Sequence, residues 1–205
     1  MSGFSQVALL VIGFVLGIAL MGFQMASSRF LSPYFGSGIE VWSALISTTM
    51  LALMAGYYIG GRVADKAPRS QVLGVVVLAA GLLLAAIPLV KDPILNFTME
   101  QFGDNIVIGA ITSSILLMAA PLTLMSFFSP FAVRLLLADA QHGGRVAGSV
   151  YSITTIGNIV GTLGGSLWLM PLVGSRDATF VYAAMVCVCG LALIGLRQKA
   201  TADAN

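Results

Sequence analysis

The chain has 205 residues, of which 58% are hydrophobic and only 9% charged, and its mean hydropathy is +0.98. A water-soluble domain carries roughly 25% charged residues, so this composition cannot coat a water-facing surface and predicts an all-α integral membrane protein whose main solvent is the lipid bilayer. A net charge of +2 gives no electrostatic support for a nucleic-acid partner.

The first apolar run, Val7–Ala26, has no Lys or Arg before it. It therefore lacks the basic n-region of a secretion signal and reads as a retained first span. A bilayer core of about 30 Å needs roughly 20 apolar residues as helix, and Val41–Gly61, Val72–Val90, Ser149–Met170 and Ala178–Leu196 meet that requirement as well. The stretch Ile106–Leu137 is longer. As one helix it would reach about 48 Å, and Pro121 and Pro130 each remove a backbone hydrogen bond, so it is either one kinked span or two short ones.

Charge placement separates these alternatives. With six spans and a cytoplasmic N-terminus, Arg62, Lys66, Arg69, Arg134, Arg145, Arg197 and Lys199 fall inside, against Arg29, Lys91 and Arg176 outside. That agrees with the positive-inside rule, whereas splitting the long stretch reverses the bias. Six spans over residues 1–197, with both termini cytoplasmic, are expected, followed by a polar tail at 198–205. Lys91–Asn105 reads as an acidic outer loop and Ala138–Ala147, containing Asp139 and His142, as a tight cytoplasmic turn.

Helices in lipid associate through small residues and interhelical hydrogen bonds. Gly13/Gly17, Gly56/Gly60 and the ridge Gly157, Gly161, Gly165, with Gly164 beside it, are therefore expected packing surfaces. Among polar groups inside spans, Gln24 and Asn158 stand out, because a primary amide in hydrocarbon needs partners. They serve either as interhelical links or as substrate contacts. No acidic or basic residue lies at a span midpoint, so the internal coupling group of a proton-driven transporter is not visible. Cys187 and Cys189 sit in an apolar run, two apart, where helical residues point in different directions, so no disulfide joins them in this reading and they are expected as buried thiols. The single histidine, His142, lies in a loop, and neither a metal-ligand spacing nor a nucleophile–base pair appears. No catalytic residue, metal or cofactor is expected.

The stretch Gly60-Gly61-Arg62-Val63-Ala64-Asp65-Lys66-Ala67-Pro68-Arg69 resembles the loop between helices two and three of the major facilitator superfamily. In this reading glycine permits a tight turn, Asp65 favours the next helix N-terminus, and Arg62, Lys66 and Arg69 hold the loop in the cytoplasm. Longer segments carry a second resemblance: Gly22 to Ser37 followed by Val41-Trp42, then Phe128-Ser129-Pro130-Phe131-Ala132-Val133-Arg134-Leu135, then Gly148 to Gly161 with Pro171-Leu172-Val173-Gly174. Together they resemble the membrane domain of the fused major-facilitator/spermidine synthase family. That resemblance implies a six-helix bundle like one half of a major facilitator transporter, in a bacterial inner membrane.

Two departures qualify it. The family commonly has an acidic residue where Gln24 stands, beside the Arg29 position, and the glycine-rich acidic segment of an aminopropyltransferase domain is missing here, so synthase activity does not carry over. The resemblance implies a module that binds or moves a small, polyamine-like metabolite as a homodimer or with a partner membrane chain. Gln24, Arg29 and Asn158 would then be the contacts and the Arg62–Asp65–Arg69 loop a gate or docking surface. The alternative is a non-transporting anchor for a cytoplasmic spermidine-synthase-like enzyme.

Overall fold

A computed structural model describes residues 3–137 and 143–196. Asp139, His142, Arg197, Lys199 and the 198–205 tail lie outside the described residues. Within them the chain is helical, without a strand. The helices are α1 (Gly3–Phe35), α2 (Ile39–Lys66), α3 (Ser70–Phe102), α4 (Ile106–Ser114), α5 (Ala120–Ser126), α6 (Phe128–Leu136), α7 (Gly143–Gly164) and α8 (Met170–Gly195). Wide π turns at Ile115–Ala119 and Gly165–Leu169 join α4 to α5 and α7 to α8. Five continuous helical stretches, Gln6–Phe35, Ile39–Lys66, Ser70–Phe102, Ile106–Leu136 and Gly143–Gly195, are long and apolar enough to cross a membrane. Their outward surface is apolar, with residues such as Val11, Met54, Leu82, Leu89 and Val188 exposed, as contact with lipid rather than water demands.

Two sequence expectations need correction. Lys91–Asn105 is not an outer loop, because α3 continues through it to Phe102; a helix satisfies its own backbone whether its side chains meet lipid or water, so polar residues need not end it. Likewise, Gly60 and Gly61 make no turn. They lie inside α2, which runs on to Lys66.

The last stretch does not run straight. Gly174 has φ 81° and ψ 165°, a region that only glycine occupies readily. Beyond it the chain returns: the Tyr182 hydroxyl lies against Gly165, in the space a Cβ there would fill. On a straight helix these positions would stand about 25 Å apart.

Three glycine seams hold the helices together. On the first, Cβ atoms at Gly157 and Gly161 would collide with the main-chain oxygens of Phe14 and Ile18, and one at Gly17 with that of Thr154. Thus α1 and α7 pack backbone to backbone and run parallel. On the second, α2 brings Gly56 against Thr123 and Ser126 and Gly60 against Phe127. On the third, Gly74 and Gly81 of α3 meet Ile194 and Cys187, while Gly190 of α8 meets Leu78, so α3 and α8 run antiparallel. Such close approach maximises dispersion contacts between helices that gain nothing by escaping water.

Replacing Gly161 with Ala is expected to lower stability by about 1–3 kcal/mol, the usual cost of overpacking. Gly164→Ala meets only the edge of the Trp168 ring at 4.0 Å and should be neutral or stabilising by up to about 1 kcal/mol, through helix propensity. Thermal unfolding of the two variants in detergent checks this contrast.

Candidate functional site

The three expected contact residues do not form one cluster. Gln24 is buried and Arg29, five residues further along α1, is exposed. Asn158 on α7 is half-buried, and its Oδ1 would stand 3.2 Å from a Cβ at Gly17. Gln24 follows Gly17 by seven residues, hence on the same stripe of α1, about 10 Å further along the axis. The two amides therefore share a side of α1 at different depths, while Arg29 belongs to the helix end.

The expected loop residues lie on the last turns of α2 and just beyond. Asp65 pairs with Arg134 at the end of α6, Nε to Oδ1 at 3.5 Å, with both side chains largely exposed. Its partner is thus a cation on another helix, not the N-terminus of α3, whose cap position is Arg69 with no side-chain cap bond. The Arg62 guanidinium lies 4.0 Å from the centre of the Tyr58 ring, a cation–π arrangement. Lys66 and Arg69 are exposed, and a Cβ at Gly61 would meet Pro130 only at 3.8 Å.

These contacts define the ends of the bundle. Ser70 Oγ, at the start of α3, donates to the Leu196 carbonyl beyond the end of α8 at 2.8 Å. Asp65–Arg134 brings together the ends of α2 and α6, and the edge-on Tyr57–Tyr151 pair, 6.3 Å between ring centres, adds the first turns of α7. Arg62, Lys66, Arg69, Arg134 and Arg145 gather at this end, with Asp65 their one acid among the described residues. At the opposite end, where Phe35 meets Gly109, Arg29, Lys91 and Arg176 are outnumbered by Glu40, Asp92, Glu100, Asp104 and Asp177. The fold separates a basic end from an acidic one.

The sequence shows hydroxyls such as Thr49, Ser113 and Ser114 inside spans but gives them no special weight, since Ser and Thr can bond back to their own helix. Thr98 and Ser113 hydrogen-bond to each other at 2.7 Å between α3 and α4. Ser27, Thr49, Ser126 and Thr179 each donate to the carbonyl four residues earlier. Ser114 Oγ and Tyr182 Oη are buried without a partner. The Tyr182 hydroxyl sits where α1 and α7 present Gly22 and Gly165, and only the glycine at 22, standing in an apolar span opposite a distant tyrosine, could have hinted at it. Among the described residues no group of three His, Cys, Asp or Glu could hold a metal. Cys187 and Cys189 are free thiols.

No protein family, curated protein or solved structure matches the chain.

An exposed ion pair contributes little, about 0–1 kcal/mol. Asp65→Asn should therefore leave thermal stability nearly unchanged. A loss of several kcal/mol in the same unfolding assay would show that the α2–α6 pair carries the fold instead.

Proposed function

We infer that the chain crosses the membrane six times, with the reversal at Gly174 on the outer side and the basic end in the cytoplasm, as one half of a major facilitator transporter would. The return of Tyr182 to Gly165 supports the sixth crossing. The concentration of Arg62, Lys66, Arg69, Arg134 and Arg145 at one end supports the orientation through the positive-inside rule. In this reading the module binds or moves a small metabolite, polyamine-like as the sequence resemblance suggests, in a bacterial inner membrane. A half-permease cannot alternate access alone, since transporters of this design rock two repeats about a midplane site, so a second copy or a partner membrane chain completes the path.

The observation that carries this reading is the pair of amides on one side of α1. Gln24 is 5% exposed and Asn158 is half-buried against Gly17. Polar groups at such depth are costly in an apolar interior and tend to mark ligand paths or interhelical links. Arg29, exposed at the acidic end, would meet the solute at the mouth. A second reading, an anchor for a cytoplasmic synthase-like enzyme, draws on the exposed charges of the basic end, Arg62, Lys66 and Arg69 in particular.

Single cysteines in a background lacking Cys187 and Cys189 test the topology. Positions 104 and 175 should react with an impermeant thiol reagent from outside intact cells, and position 66 only after permeabilisation. Uptake into proteoliposomes separates the functional readings. Gln24→Leu and Asn158→Leu should abolish uptake while the protein still purifies as a folded oligomer. Wild-type vesicles without uptake, from a chain that copurifies with a soluble enzyme through Arg62 and Arg69, would favour the anchor.

A further inference from the structure

Two wide turns and two unpaired hydroxyls coincide. Ser114, fully buried, immediately precedes the π turn Ile115–Ala119, and its Oγ has no partner. Tyr182, 1% exposed, brings its unpaired Oη onto Gly165, the first residue of the π turn Gly165–Leu169. Nothing else among the described residues shares this condition. The helical serines and threonines Ser27, Thr49, Ser126 and Thr179 bond back to their own helices. The sites also match in depth. Ser114 lies eight residues inside the start of α4, and Tyr182 eight residues beyond Gly174, so each is about 12 Å from the acidic end.

A buried hydroxyl left unpaired costs about 1–3 kcal/mol, and a π turn displaces main-chain groups from the regular ladder, where a water inserts readily. We propose that Ser114 and Tyr182 are two internal hydration sites, each holding one water molecule bonded to the hydroxyl beside the adjacent wide turn. The ligand is water because it both donates and accepts, as an unpaired hydroxyl requires, and it is the smallest molecule that does so. Buried waters occur at about one per 27 residues, so two fall well within what a chain of this length accommodates.

Radiolytic hydroxyl-radical footprinting of the full chain in lipid nanodiscs tests this, because radicals form from bound water and modify the residue beside it even when that residue is buried. The expected result is modification of Tyr182 and of Met118, which is 0% exposed and one turn beyond Ser114, at rates comparable with exposed Tyr58. Ser114→Ala should then reduce Met118 modification several-fold while leaving Tyr182 unchanged. Unmodified Tyr182 and Met118 beside a reactive Tyr58, or Met118 modification indifferent to Ser114→Ala, would overturn the assignment.

Discussion

Everything in this bundle follows from the absence of water around its helices. In hydrocarbon each peptide group must bond within its own segment, which makes the chain helical almost throughout. It also removes the hydrophobic incentive for one helix to bury against another. What remains is close contact, and glycine permits it. The α1–α7 seam, with main-chain oxygens of Phe14 and Ile18 standing where Cβ atoms of Gly157 and Gly161 would be, is the tightest expression of that constraint. Repeated between α2 and α5–α6, and between α3 and α8, it fixes which helices are neighbours and which ends lie together.

The reversal at Gly174 depends on a different property of glycine. No atom comes within 4 Å of a Cβ built there, so its requirement is one of backbone conformation, not of space. A residue with a side chain would be strained at this φ and ψ, so the reversal depends on glycine there. The turn lays α8 along α3, where Ser70 holds the Leu196 carbonyl, and the separation of charge between the two ends is a consequence.

Much of this was legible in the sequence, and the parts that were not share physical causes. The apolar runs located every helical stretch, and the glycine ridges on the first, second and fifth runs stood out because their residues recur every four positions on one helix. Gly74, Gly81 and Gly190 did not, since they are seven apart or solitary and acquire meaning only from the facing helix. Lys91 and Asp92 read as the start of a loop although α3 passes through them, because charge near a membrane boundary reports solvation and not backbone geometry. Asp65 read as a partner for the next helix and instead meets Arg134, a residue 69 positions away that no local pattern could pair with it. Of the candidate site, Gln24 and Asn158 were visible because amides are rare in spans. Tyr182 was not, and Ser114 was visible only as one of several in-span hydroxyls, because a tyrosine or serine in an apolar run is ordinary until its hydroxyl is seen without a partner.

The chain's doubling back between α7 and α8 underlies the grouping of charges and the helix neighbours, and one distance decides it. Spin labels at Ser149 and Leu191, both exposed, measured by pulsed dipolar spectroscopy in nanodiscs, should lie within about 30 Å, three helix diameters, at the same end of the bundle. A separation near 63 Å, the length of an unbroken helix between them, would contradict the reversal, the grouping of charges and the half-permease reading together.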